Sequence, residues 1–228
     1  RRALAASNRK ILNPNNVDLS PFGIKVLHET PHLMVLSKPS GMVCFHKKST
    51  TAGKLTKSRI KNQTGSQGDE ARIDVSLQDA LLHAGIPLST LNAECRGLVH
   101  RIDRGTSGCI VLAKTNDMHA KLVTEFFLRK AKKSYQALVK VRDEKQIPEE
   151  GEISVSIGGR PAKSTYVMEE RINNYARLRL NTLTGRKHQV RIHCAQGLDA
   201  PILLDLLYGD DKLVCPKPIM NLSQDGQR

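Results

Sequence analysis

The chain contains a series of short segments in which apolar and polar residues alternate, with turn-forming residues between them. In GEISVSIGG the apolar positions are Ile153, Val155 and Ile157, and YARLRLNTL repeats the same pattern. Because successive side chains of a strand point to opposite faces, a period of two residues predicts half-buried strands. Many of these segments are separated by only a few residues, which favours hairpins and therefore antiparallel pairing.

The other segments predict a fold with more strands than helices. Further strands are predicted in IKVLHE, LMVLSK, GCIVLAKT, SYQALVKV and STYVMEE. One short helix is predicted in SLQDALLHAGIP, capped by Ser76, and a second in NDMHAKLVTEFFLRKAKK, capped by Asn116. Four residues of the second helix are expected to face the core: Leu122, Val123, Phe126 and Phe127. The fold class is therefore α+β, with a large mixed or mostly antiparallel sheet flanked by helices and loops.

Composition divides the chain into an arm, one domain and an insertion. Residues 1–20 are polar and basic and predict a loosely ordered N-terminal arm, and residues 21–228 are expected to form one domain. Within it, residues 47–75 are rich in Lys, Ser, Thr and Gly, which predicts a flexible basic insertion. Its cations could contact phosphates, and a solvated loop explains the same composition equally well.

The net charge of +14 favours a polyanionic partner, with nucleic acid ahead of a membrane surface. We find no basic amphipathic helix, lipidation signal or long apolar span that would place the chain on or in a membrane. The five cysteines show no C-x-x-C spacing, which fits reduced thiols in an intracellular compartment, whether cytosolic, nuclear or organellar. No zinc pattern, G-x-G-x-x-G or P-loop is present, so neither a metal nor a nucleotide cofactor is expected.

One carboxylate stands out in the stretch LVHRIDRGTSGCIVLAKT, where Asp103 lies between Arg101 and Arg104. Cations close to a carboxylate keep it ionised, and an ionised carboxylate can act as a nucleophile or a base but not as an acid. A salt bridge or a turn cap is the structural alternative for Asp103. On extended chain its two neighbours need not touch it, so its partner can be a different cation.

A second polar concentration is TGRKHQVRIH, in which five of ten residues are basic or carry an imidazole. These residues are Arg186, Lys187, His188, Arg191 and His193. Such a concentration beside a Thr-Gly turn suggests a phosphate or carboxylate partner, whereas a solvated helix face is the alternative. Tyr135 begins a predicted strand, and ordinary strand packing explains it equally well. Aromatic residues are too few for a base-stacking sheet surface.

HRIDRGTSGCIVLAKT resembles the H-R-L-D-x-x-T-S-G signature of the RluA-type pseudouridine synthases. Three further blocks resemble family blocks in the same order: VLHETPHLMVLSKPSGMVCFH, KKSYQALV and TGRKHQVRIHCAQGLDAPILLDLLYG. Together the four blocks cover most of residues 24–209. The resemblance implies the pseudouridine synthase catalytic-domain fold with a central active-site cleft. It also implies an isomerase that converts uridine in structured ribosomal or transfer RNA to pseudouridine, with no metal or cofactor, and we expect a monomer.

The resemblance also implies roles for individual residues. Asp103 matches the family's essential aspartate, which acts as nucleophile or as base toward the ribose, and Arg191 matches the arginine that pairs with it. Tyr135 matches the tyrosine that packs against the target base. Arg101 matches the arginine that enters the RNA stack when the uridine flips out, and His100 lies beside it in a supporting role. Further RNA contacts are expected from the second polar concentration: Arg186, Lys187 and His188.

The chain departs from the family pattern in three places. The 47–75 insertion is long, GLDAPILLDLLYG lacks the usual Gly-His-Pro and Gly-Asp-Pro elements, and residues 210–228 lack the usual last-strand motif. A non-catalytic RNA-binding protein or RNA chaperone on the same scaffold is the main alternative. The joint presence of Asp103, Tyr135 and Arg191 favours the enzyme. A hydrolase with Asp103 as general base lacks a second carboxylate or a Ser-His pair nearby.

Overall fold

The computed structural model describes residues 18–46, 75–142 and 146–209, which belong to two compact units. The first unit extends to Leu128 and the second begins at Arg129. Nearly all of the predicted arm, nearly all of the predicted insertion, and residues 210–228 lie outside the described residues. Of the arm, only residues 18–20 are described, and Leu19 is buried. Only Val75, the last residue of the insertion, is described, and it is buried. The expected single domain over residues 21–228 stays a prediction.

The first unit is built on a three-stranded antiparallel sheet with the order β1-β2-β3. Its strands are β1 (Lys25–Glu29), β2 (Leu33–Lys38) and β3 (Gly108–Ala113). The central strand alternates half-buried and buried residues, although its sequence, LMVLSK, does not alternate apolar and polar residues. The core beneath the sheet is aliphatic, and its fully buried members include Leu36, Met42, Leu77, Leu81, Ile110 and Leu112.

Helix α1 (Leu77–His83) begins as its sequence predicts. The Ser76 hydroxyl accepts a hydrogen bond from the Asp79 amide, and the Asp79 carboxylate accepts one in return from the Ser76 amide. This reciprocal pair satisfies two amides that a helix start otherwise leaves without partners. The predicted cap is confirmed.

Helix α2 (Asn116–Phe127) differs from its prediction in two respects. Its cap is Thr115, whose hydroxyl accepts a hydrogen bond from the Met118 amide. The side-chain oxygen of Asn116 instead accepts hydrogen bonds from the Ser89 hydroxyl and the Thr90 amide. The expectation that Val123 and Phe127 face the core is wrong, since they are 43% and 82% exposed. Leu122 and Phe126 are half-buried, so only part of the predicted apolar stripe is covered.

The second unit is a four-stranded antiparallel sheet with the order β4-β7-β6-β5. Its strands are β4 (Ser134–Lys140), β5 (Glu150–Ser154), β6 (Lys163–Ile172) and β7 (Tyr175–Thr182). The short helix α3 (Gln189–Ile192) follows, and the chain continues into a π-helical turn, His193–Gly197. One face of the sheet packs with this turn around a core that includes Val139, Leu178, Leu180 and Cys194.

The antiparallel α+β class is thus confirmed, with the strands distributed between two sheets. The strands predicted in GCIVLAKT, SYQALVKV, STYVMEE and YARLRLNTL form, but β5 ends at Ser154, so Val155 and Ile157 lie beyond the strand predicted for them. In the described part of the chain, no helix is both long and apolar enough to cross a membrane.

Gly197 gives one stability prediction. A Cβ atom on this residue would overlap the Cγ2 atom of Ile153 on β5. We expect Gly197→Ala to lower the free energy of unfolding by about 1–3 kcal/mol or more, because a well-packed core yields little to an added methyl group. Thermal unfolding measures the loss. Gly105→Ala is the control, because a Cβ there meets nothing within 4 Å. Equal stability of the two variants would contradict the close approach.

The dependence of stability on pH gives another prediction. Burial lowers the pKa of both His119 and His193 below the ordinary value of 6.5. As the pH falls, these two histidines therefore bind protons in the unfolded chain before they do so in the folded protein. Their contribution to the free energy of unfolding is complete above about pH 6.5 and decreases as the pH falls from there to the pKa of the folded state. Denaturant titrations from pH 7.5 to 5 should show this loss. His119→Gln with His193→Gln should flatten the slope in that window, and an unchanged slope would refute the assignment.

Candidate active site

Asp103 lies in the loop that leads into β3, in the first unit. The side chain is half-buried, and its backbone carbonyl accepts a hydrogen bond from the Thr106 amide at 3.1 Å, which closes a turn. The loop is fixed to the segment that follows β2 through its own carbonyl groups. Arg104 O accepts from Gly41 N at 2.8 Å, and Gly105 O accepts from the Ser40 hydroxyl at 2.9 Å. These bonds fix the backbone of the loop that carries Asp103.

A buried lysine supports the same loop. Lys38, at the end of β2, is completely buried, and its Nζ donates to Met42 O at 2.7 Å, Pro39 O at 2.8 Å and Arg104 O at 3.4 Å. Burial lowers the pKa of Lys38, and the charge of the nearby Asp103 is among the effects that oppose it. Lys38 was not among the predicted site residues. The Lys-Pro-x-Gly pattern that begins at this last residue of β2 was the sequence signal that could have identified it.

The neighbours of Asp103 differ in their surroundings. Arg101 and Arg104 are exposed. His100 is tied into the fold, because its Nε2 accepts a hydrogen bond from the Val111 amide at 2.9 Å and its ring stacks on Phe126 with centroids 4.8 Å apart. The supporting role expected of His100 stays a prediction.

In the second unit, Gln189 organises the loop TGRKH. Its Oε1 accepts hydrogen bonds from the Thr184 hydroxyl and the Arg186 amide, and its Nε2 donates to Lys163 O and to Ser164 Oγ. All four bonds lie between 2.7 and 3.0 Å, and the side chain is buried. Gln189 thus attaches the loop to β6. The sequence analysis did not assign it a role, although it lies inside the TGRKHQVRIH stretch.

The predicted RNA contacts of this loop lie on or near its surface. Lys187 is exposed, and Arg186 donates from Nε to Pro161 O at 3.1 Å. His188 has a φ of 57°, in the left-handed region that non-glycine residues seldom occupy, and there the chain turns into α3. Lys133 packs beneath the loop, with its Nζ bonded to Thr184 O at 2.9 Å.

Arg191, on α3, is paired with a carboxylate that sequence reasoning did not identify as its partner. Its Nε and Nη2 donate to Oδ2 and Oδ1 of Asp205 at 2.7 and 2.6 Å. The ring of Tyr208 lies under the guanidinium, with its centroid 4.9 Å from Cζ. Asp205 and Tyr208 both lie at the end of TGRKHQVRIHCAQGLDAPILLDLLYG, the family-like block that also contains Arg191, and this shared block was the available sequence signal. Their loop is ordered around Asp205 by bonds from Arg191 and from the Leu207 and Tyr208 amides.

Tyr135 is the second residue of β4, on the same face as Ala137 and Val139, and it pairs across the sheet with Leu180. Its side chain is half-buried at the end of this core face. Asp103 belongs to the first unit, and Tyr135 and Arg191 belong to the second. Their expected roles stay predictions. Within residues 18–46, 75–142 and 146–209, no group of three or more His, Cys, Asp or Glu side chains could hold a metal ion.

Comparison with known proteins places this arrangement in a family. Residues 32–196, which include Asp103, Tyr135 and Arg191, match the model of the family described as RNA pseudouridylate synthase. The chain belongs to this family. The predicted membership is confirmed, and RNA pseudouridylate synthases isomerise uridine in RNA to pseudouridine.

Two curated pseudouridine synthases illustrate the similarity. An uncharacterized RNA pseudouridine synthase of Aquifex aeolicus (strain VF5) is 30% identical over 97% of this chain and 69% of its own length. A ribosomal large subunit pseudouridine synthase D of Pasteurella multocida (strain Pm70) is 35% identical over 57% of this chain. The match covers only 41% of the length of the Pasteurella protein.

The solved structure of human RNA pseudouridylate synthase domain containing 4 shares the fold. It superposes with a TM-score of 0.60 at 22% sequence identity and covers 87% of this chain and 76% of its own. Together with the family match, this agreement confirms the predicted fold class.

Proposed function

We propose that this protein isomerises uridine to pseudouridine in ribosomal RNA and that Asp103 is the reactive carboxylate. The observation that carries the proposal is the Asp103 loop, held by Lys38 and by main-chain bonds inside a region that matches the pseudouridylate synthase model. The name of the Pasteurella relative supports a large-subunit ribosomal substrate. Transfer RNA is the alternative substrate that the experiment below also tests.

The proposed reaction uses a carboxylate in its ionised form. As a nucleophile, Asp103 forms an ester with C1′ of the ribose while the bond between C1′ and N1 of uracil breaks, and C5 later displaces the carboxylate from C1′. As a base, Asp103 takes a proton from the ribose while the same C1′–N1 bond breaks, and it returns that proton to the ribose when C5 bonds to C1′. The uracil then turns, a C1′–C5 bond forms, the C5 hydrogen leaves as a proton, and N1 takes up a proton. In this scheme Arg191 pairs with Asp103 and Tyr135 packs against the uracil.

RNA binding in this proposal depends on charge and on base flipping. The reacting carbon atoms are inaccessible inside a stacked helix, so the uridine must leave the stack at a cost of a few kcal/mol. The exposed Arg101 is a planar cation that can occupy the vacated place. Arg186, Lys187 and His188 contribute phosphate contacts, and the net charge of +14 predicts binding that weakens steeply with salt.

We further propose that the enzyme acts in an intracellular compartment, is a monomer, and needs no metal or cofactor. The cysteines of the described residues, Cys44, Cys95, Cys109 and Cys194, are all free thiols, which supports a reducing compartment.

The deciding experiment is tritium release from RNA labelled at C5 of uridine, because this hydrogen leaves only when C5 becomes the glycosidic carbon. Unmodified ribosomal RNA and unmodified transfer RNA are supplied separately. Tritium release from ribosomal RNA supports the proposal. Release from transfer RNA alone would show that transfer RNA, rather than ribosomal RNA, is the substrate. RNA binding without release from either pool would favour the non-catalytic RNA-binding alternative.

Arg101 gives a prediction about base flipping. We expect Arg101→Ala to lower kcat/KM about tenfold or more on a target uridine inside a duplex, and much less on a single-stranded target, because only the duplex leaves a gap to fill. Arg104→Ala is the matched control, since it removes an exposed cation from the same loop. Equal losses on both substrates would contradict the flipping role.

A further inference from the structure

The guanidinium of Arg191 is held along one edge and on one face. The edge formed by Nε and Nη2 binds both carboxylate oxygens of Asp205, at 2.7 and 2.6 Å. The face lies against the Tyr208 ring, 4.9 Å from its centroid. The family resemblance assigns a role to Arg191 but none to either of these two neighbours. Both neighbours lie in the loop that follows the π-helical turn.

Asp205 is built into this position. Its side chain is 4% exposed, and one carboxylate oxygen also accepts bonds from the Leu207 and Tyr208 amides, at 3.0 and 3.2 Å. Burial alone would raise the pKa of Asp205, but the bonds from Arg191 and from these two amides outweigh it and lower the pKa. The carboxylate is therefore ionised at neutral pH, and its plane is fixed by the backbone as well as by the arginine.

Tyr208 is itself anchored. Its hydroxyl is 2.9 Å from Nδ1 of His188, and the two rings meet edge to face with centroids 5.7 Å apart. His188 is the residue in left-handed conformation immediately before α3, the helix that carries Arg191. The loop that carries Asp205 and Tyr208 is thereby tied to the start of α3, and the orientation of the guanidinium follows from both ties.

We propose that Asp205 and Tyr208 are positioning residues that fix the plane of Arg191, so that the edge formed by Nη1 and Nη2 meets a second anion in one orientation. This inference rests on the proposed function, in which that anion is the reactive carboxylate. A guanidinium can bind one carboxylate side-on and another end-on, because its five N–H groups form two separate forks. Asp205 binds the side-on fork, so the end-on fork of Arg191 can meet the reactive carboxylate in only one orientation.

The first test compares Asp205→Asn with Glu152→Gln. The asparagine keeps the volume but turns one acceptor into a donor that faces the guanidinium, so the plane is no longer fixed. Glu152→Gln removes an exposed ion pair with Lys163 in the same unit and serves as the matched control. We expect Asp205→Asn to lower kcat about 100-fold with KM changed less than about twofold, because a small misplacement of a catalytic group costs about that much. Asp205→Glu should recover part of the loss.

A second readout does not depend on turnover. In the wild type, the Nε proton of Arg191 should exchange slowly with solvent and give a sharp NMR signal, because it is bonded to a buried carboxylate. Asp205→Asn should accelerate this exchange at least tenfold and Glu152→Gln should leave it unchanged. If Asp205→Asn does not fold, Tyr208→Leu replaces it, because it removes the ring from the guanidinium, and Glu152→Gln remains the control.

The outcomes separate this inference from the proposed function. If the wild type releases no tritium from any RNA, the proposed function fails and the exchange measurement alone decides the positioning role. If the wild type is active and Asp205→Asn retains the kcat of Glu152→Gln, the positioning role is overturned while the function stands. A loss of thermal stability with unchanged kcat in the folded protein overturns it as well.

Discussion

Asp103→Asn should abolish the release of tritium from uridine labelled at C5. The amide has the size of the carboxylate but is neither a nucleophile nor a base at neutral pH, so we expect turnover to fall about 10⁴-fold or more. Because the loop is held through backbone carbonyls, the melting temperature and the affinity for RNA should change little. Tritium release, thermal unfolding and RNA filter binding measure the three quantities on the same samples.

The control for this prediction is Asp117→Asn, which removes an exposed carboxylate from the first turn of α2 in the same unit. It should turn over like the wild type. If Asp103→Asn instead unfolds, or remains as active as the control, Asp103 is a structural residue. The salt-bridge or turn-cap alternative would then stand.

Lys38→Met should have the largest effect on stability. Methionine fills nearly the same volume, but it donates no hydrogen bond, so the carbonyls of Pro39, Met42 and Arg104 lose their shared donor. Removing a buried charged donor in this way costs about 3–5 kcal/mol. At about 2–4 °C per kcal/mol for a chain of this size, the melting temperature should fall by about 10 °C.

The matched control is Lys25→Met, an exposed lysine on β1 of the same sheet. It should leave the melting temperature nearly unchanged. Turnover of the folded Lys38→Met protein should also fall, because Arg104 O is one of the three acceptors and lies next to Asp103. Stability and activity equal to those of the Lys25→Met protein would show that the lysine is dispensable for both.

Several strands were predictable because their apolar residues recur in the sequence with a period of two. Ala176, Leu178 and Leu180 alternate in the sequence, and all three are buried in β7. Helix α1 was predictable for a similar reason, since its cap is formed by residues three positions apart. Both features depend on residues that are close in the sequence, so they can be predicted without knowledge of the rest of the fold.

Features that depend on distant partners were not predictable. Thr115 and Asn116 are both good caps, and the choice follows from Ser89, 27 residues before Asn116, whose hydroxyl binds the asparagine. The exposure of Phe127 depends on how much surface the rest of the protein offers to α2. The Arg191–Asp205 pair joins α3 to a loop 14 residues further along the chain, so no periodicity of the sequence predicts it.

The loop around Asp103 is attached through its carbonyl groups, and every residue type carries a carbonyl group. Arg104 O and Gly105 O accept from Lys38, Gly41 and Ser40 whatever side chains the loop displays. Substitutions of the exposed side chains at positions 101 and 104 therefore leave the acceptors of these bonds in place. In evolutionary terms, the attachment of the loop tolerates changes at both positions, because it does not depend on their side chains.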